Sequence, residues 1–109
     1  MMLDTAILAS LRTTLPPADL ADIFRAFSVD LRRLAGELTV HAEAGNTAGV
    51  RHAAHALAGA AASVGATALA KAARAAMQAG SLPIGPLQAR EIAAEAEAAI
   101  AALDALAAE

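Results

Sequence analysis

The sequence has no cysteine, tryptophan or tyrosine, and only two phenylalanines. Without cysteine there is no disulfide framework and no thiolate chemistry, and nothing calls for an oxidising compartment, so a cytoplasmic setting is expected. The scarcity of aromatics argues against a β sandwich, whose strands favour aromatic and β-branched side chains. An excess of positive charge is also missing. Eight Lys and Arg against eleven Asp and Glu give a net charge of −3, which does not supply the dense cationic surface that nucleic-acid binding requires. Long apolar runs are absent as well: the uncharged stretch from Ala56 to Ala70 is 15 residues and contains two glycines and a serine. That is short of the roughly 20 residues a membrane-spanning helix needs. The opening MMLDTAIL carries an early Asp4 and no basic region before its apolar stretch, unlike a secretory signal. Neither nucleic acid nor membrane is therefore an expected partner. No internal repeat at solenoid periods is present.

What the sequence has in abundance is alanine, at 35 of its 109 positions. Alanine is the strongest helix former and contributes little bulk to a core. An all-α single domain over residues 1–109 with a thin, closely spaced core follows. Asp4 can cap a short helix running to about Thr14, with Ile7, Leu8 and Leu11 on one face, before Pro16 and Pro17 stop it. Leu20, Phe24, Phe27, Leu31, Leu34 and Leu38 then recur at intervals of four and three, the signature of a long amphipathic helix. Gly45 breaks it, and Asn46 can cap a third helix from about Thr47 to Val64, whose core stripe is Val50, Ala54, Leu57, Ala61 and Val64. Gly65 ends that helix or bends it.

A fourth helix, from about Ala66 to Ala79, sets Leu69, Ala73 and Ala76 against Lys71, Arg74 and Gln78, and Gly80 stops it. A linker with Ser81, Pro83, Gly85 and Pro86 leads to a last helix with Ile92, Ala96, Ala99, Ile100, Leu103 and Leu106 inward and Glu91, Glu95, Glu97 and Asp104 outward. Four amphipathic helices with mostly short connections predict an antiparallel four-helix bundle with a short additional N-terminal helix. A monomer is expected.

On a wheel of about 100° per residue, His55 lies roughly 140° from Val50 and so points outward from the third helix. Ala48, Arg51, Ala58, Gly59 and Ala62 share its sector, so an exposed imidazole stands among residues with almost no side chain apart from one arginine. A glycine inside a helix costs about 1 kcal/mol relative to alanine. Gly59, one turn beyond His55, makes sense where a partner approaches the backbone closely. Neutral imidazole is nucleophilic near pH 7, and an open surface admits a phosphorylated donor. A solvated histidine on an alanine-rich helix is the plainer alternative.

The string NTAGVRHAAHALAGAAASVGATAL, from Asn46 onward, resembles the signature of histidine-phosphotransfer domains. There a capping Asp or Asn precedes the phosphorylated histidine by nine residues, followed by A-H-x-L-K-G and then G-A-x-x-L. Asn46, Ala54, His55, Leu57, Gly59, Gly65, Ala66 and Leu69 fall on matching positions without a gap. The segment from Ile23 to Glu43 is similar to the family's preceding helix, and the likeness extends over about Leu20 to Gln78.

The resemblance implies a phosphorelay intermediate: His55 would take a phosphoryl group from a receiver-domain aspartyl phosphate and yield it to a second receiver. Such a chain is a phosphoryl carrier rather than an autonomous catalyst. Its partners would be receiver domains of response regulators or of hybrid sensor histidine kinases, with Mg²⁺ held by the partner and no cofactor on this chain. Ala48, Ala58, Gly59 and Ala62 would leave room for docking.

One departure bears on the charge. The family commonly has Lys three residues after the histidine, where this chain has Ala58. Arg51, Lys71 and Arg74 are the candidates to support the phosphate instead. The family's polar residue near the end of the following helix corresponds to Met77, with Gln78 beside it. A helical adaptor or inhibitor that docks on a kinase or receiver without carrying phosphate is the alternative.

Other chemistries fit less well. His52 and His55 without an accompanying carboxylate make a poor metal site. His41 suits a helix C-terminus or a solvated position. Ser10, Ser28 and Ser63 lack nucleophile–base spacing, and Gly49, Gly59 and Gly65 lack the strand and G-K-[ST] of a phosphate loop.

Overall fold

A computed structural model of the chain describes residues 3–78 and 84–109. Among these described residues lie five helices in order: α1 Thr5–Thr14, α2 Pro17–Glu43, α3 Thr47–Ser63, α4 Thr67–Gln78 and α5 Pro86–Ala107. The expected end of the fourth helix at Gly80, and Ser81 and Pro83 of the linker, lie outside the described residues.

Local chemistry sets the boundaries. The Asp4 carboxylate accepts from the backbone N–H groups of Ala6 and Ile7, at 2.8 and 3.3 Å, and starts α1. Pro17 and Pro86 open α2 and α5, in first-turn positions where a missing N–H costs nothing. Asn46 accepts from the Gly49 N–H at 2.9 Å and caps α3.

Both tight turns use a glycine of positive φ, Gly45 at 69° and Gly65 at 73°. After α2, Gly45 and Asn46 donate to the carbonyls of Ala42 and His41. After α3, Gly65 and Ala66 donate to those of Ala62 and Ala61. Each turn thereby satisfies two carbonyls that the helix end would leave open.

Helices α2 to α5 form an antiparallel bundle with an up-down-up-down course. Each packs on the next, and α5 closes against α2. The core is aliphatic apart from Phe24, with Leu31, Leu38, Leu57, Leu69, Ile92, Leu103 and Val64 almost fully buried. Burying one such side chain contributes about 2 kcal/mol. Between these anchors stand Ala53, Ala54, Ala61, Ala73, Ala96 and Ala99, all buried.

The expected stripe on α2 holds except at Phe27, which is half-buried while Ser28 beside it is 2% exposed. Ser28 enters because it has a partner: its hydroxyl donates to the Asp104 carboxylate, which Arg32 also reaches at 3.5 Å. Asp104, expected outward, is half-exposed and joins α5 to α2.

Helix α1 rests on α2 and buries Leu8. Just before it, the Asp4 N–H donates to the Gly65 carbonyl at 2.8 Å. A Cβ at position 65 would lie 2.8 Å from the Asp4 nitrogen, so this glycine serves both the turn and the close approach of the N-terminal segment.

Candidate functional site

His55 lies near the middle of α3 and is exposed. Its neighbours on the helix surface, Ala48 and His52 before it and Gly59 and Ala62 after it, are exposed too and recur at intervals of four and three. Together they form a ridge in which two imidazoles are the only substantial side chains. A Cβ built at Gly59 meets nothing within 4 Å, so no contact inside the domain demands a glycine there. Gly49 is the opposite case. A Cβ at that position would lie 2.5 Å from the His41 ring, itself held near the Asn46 amide at 3.3 Å. Gly49 therefore lets α3 start close against the end of α2. His41 belongs to that junction.

Because Gly49 faces α2, the other flank of α3, carrying Arg51, Ala54 and Ala58, faces α4. His55 shares a shallow open hollow with Ala48, Arg51, His52 and, from α4, Met77. Arg51 precedes His55 by one turn and is exposed, a spacing at which side chains on one helix meet.

The structure corrects two of the expected positions. Ala58, expected at the docking surface, is 7% exposed and belongs to the core. The alanines on the facing sides of α3 and α4 let these helices approach, and the buried arc of α3 widens to include it. The exposed surface consists of Ala48, Gly59 and Ala62 without it. Lys71 lies on the far side of α4 and lines the groove toward α5 with Glu91 and Glu95, so it is not grouped with His55. Arg74, three residues before Met77, lies on the α3 side of its helix by helical spacing and is exposed. Gln78 is exposed at the helix end and Met77 half-buried.

Sequence reasoning overlooked one feature of this region. Between Ala44 and Arg90 there is no Asp or Glu, while Arg51, Lys71, Arg74, Arg90 and two histidines fall within it. All eleven carboxylate residues lie outside, with the remaining four arginines. The net charge of −3 conceals this segregation, which the order of residues already displays.

Among the described residues no three of His, Cys, Asp and Glu converge as metal ligands. No described helix is long and apolar enough to cross a membrane. What the arrangement offers is a nucleophilic imidazole on an open, nearly bare helix face, in a hollow whose lining includes one guanidinium and, among the described residues, no carboxylate. Compared with known families, residues 20–109 match the model described as the Hpt domain. Neither the curated proteins nor the solved structures contain a match to this chain.

Proposed function

This chain belongs to the histidine-phosphotransfer (Hpt) domain family, whose role is phosphotransfer in a phosphorelay, and on that premise we propose that His55 is the residue that carries the phosphoryl group. The observation behind this reading is the position of His55: exposed at mid-helix, on a ridge of Ala48, Gly59 and Ala62 that leaves a partner free to approach. The unprotonated ring nitrogen attacks the phosphorus of a receiver's aspartyl phosphate. An N–P bond forms, the P–O bond to the aspartate breaks, and the carboxylate leaves. The reverse exchange, onto the aspartate of a second receiver, regenerates neutral imidazole. Positioning and charge stabilisation dominate such transfers, so a partner bearing Mg²⁺ can supply much of what this surface lacks.

Arg51 is the nearest cation on the same helix and takes the part that lysine at position 58 has in the family. Arg74 and Gln78 flank the site from α4. Receiver domains of response regulators or hybrid kinases are the partners, in the cytoplasm. Ala58 and Met77, which replace a lysine and a polar residue, favour a second reading in which the same surface docks a receiver or kinase without accepting phosphate.

Incubation with a phosphorylated receiver separates the two. Acid-labile label is expected on the wild-type chain and not on His55→Gln. An unlabelled wild-type chain, or label retained by the variant, refutes the carrier assignment.

A further inference from the structure

We propose that the α3–α4 hairpin selects receivers whose docking rim is acidic, and that Arg74 is the selecting charge. This rests on the reading of His55 as the docking centre.

The hairpin and its flanks, from Ala44 to Arg90, contain four Lys and Arg and no carboxylate side chain. The rest of the chain holds eleven carboxylates against four arginines. Each of those four arginines, Arg12, Arg25, Arg32 and Arg33, has a carboxylate within 4.0 Å. Within the hairpin the cations differ in what they face. Lys71 looks across the α4–α5 groove at Glu91 and Glu95. Arg90 shares a hollow with Glu43. Arg74 has no ion pair among the described residues and lines no such groove, and it stands on the side of α4 that carries Met77 into the His55 hollow. It is thus the exposed cation beside the docking ridge whose field no carboxylate offsets.

The negative remainder of the molecule does not cancel that field. The bundle is about 20 Å across, more than two screening lengths at physiological ionic strength, where the Debye length is about 8 Å. A partner arriving at the α3 face therefore meets positive charge although the chain is net negative. Rim charges of this kind govern encounter rate and partner choice more than the lifetime of the complex. An acidic rim is attracted, and a basic rim is repelled by Arg74 together with Arg51. A nucleic acid would also meet positive charge, but two cations and no aromatic platform are a small footprint for a polyanion.

The test uses a receiver domain that phosphorylates the wild-type chain, with association followed by stopped flow at 150 and 500 mM NaCl, where the far side of the bundle is screened. The association rate is expected to fall roughly threefold across that range. Arg74→Glu should lower it roughly threefold or more at 150 mM NaCl and flatten the salt dependence, with the dissociation rate within about twofold of wild type. Arg32→Gln, on the α2–α5 side, should change neither. Replacing a rim Asp or Glu of the receiver by Lys should restore association with Arg74→Glu.

An association rate indifferent to salt and to Arg74, with labelling of His55 intact, overturns the inference and leaves the carrier assignment standing. Absence of label from every receiver tried overturns both. Salt-sensitive binding of a 20-base-pair DNA duplex that displaces the receiver also overturns it, because the face would then serve a polyanion.

Discussion

Gly59 gives the sharpest test of the docking surface, because stability and transfer should move in opposite directions. It stands inside α3, is exposed, and a Cβ added there meets no atom within 4 Å. Replacing it by alanine removes the helix penalty of glycine without a clash, a gain of about 0.5–1 kcal/mol. For a domain of this size that raises the melting temperature by about 2–8 °C. Leucine has nearly the same helix propensity, so Gly59→Leu should also melt above wild type. Its side chain, however, projects from the ridge about 6 Å along the axis from His55, where a partner must approach. Transfer from a phosphorylated receiver to Gly59→Leu should slow by roughly tenfold or more, about 1.4 kcal/mol in the barrier. Thermal unfolding by circular dichroism and single-turnover labelling provide the two measurements. A Gly59→Leu chain that takes up phosphate at the wild-type rate would refute the docking argument. A Gly59→Ala chain that melts below wild type would refute the claim that the domain itself has no need of this glycine.

Gly65→Ala should behave in the opposite sense. The left-handed backbone costs a non-glycine residue about 1–2 kcal/mol, and the new methyl is driven against Asp4, so urea unfolding should show a loss of about 2–3 kcal/mol. Arg51→Gln should slow phosphate uptake roughly tenfold while leaving the melting temperature within about 2 °C, since exposed charges contribute little to folding. Equal uptake rates would remove Arg51 from the site.

Where a large aliphatic residue fixed the phase of a helix, the sequence was legible. Leu31, Leu34 and Leu38 in α2, Val50 and Leu57 in α3, and Ile92 and Leu103 in α5 are buried as their spacing requires. Asp4 and Asn46 mark helix starts because their short oxygen-bearing side chains suit no position better. Alanine carries no such information, being equally at home inside and outside. That is why Ala58 reads as outward on a wheel and is found buried. A wheel also treats a helix as having one buried direction, whereas α3 packs on both α2 and α4.

Ser28 escaped notice because the acceptor that permits its burial, Asp104, is 76 residues away. Lys71 needed the position of α5, which no local pattern supplies. The outward positions of Ala48, His55, Gly59 and Ala62 were legible because they depend on one helix alone. The charge segregation was readable throughout and was hidden by averaging over the chain.

The shape of the bundle has a kinetic consequence. The described residues form a rod of 43 × 20 × 19 Å with His55 on one long face. Under the proposed assignment of His55, donor and acceptor present their aspartates to the same imidazole and cannot occupy that face together. Such a carrier releases its first partner while still bearing the phosphoryl group, then meets the second. Double-reciprocal plots for the relay should therefore give the parallel lines of a ping-pong exchange. An excess of unphosphorylated donor should inhibit the second half-reaction by holding the only landing place.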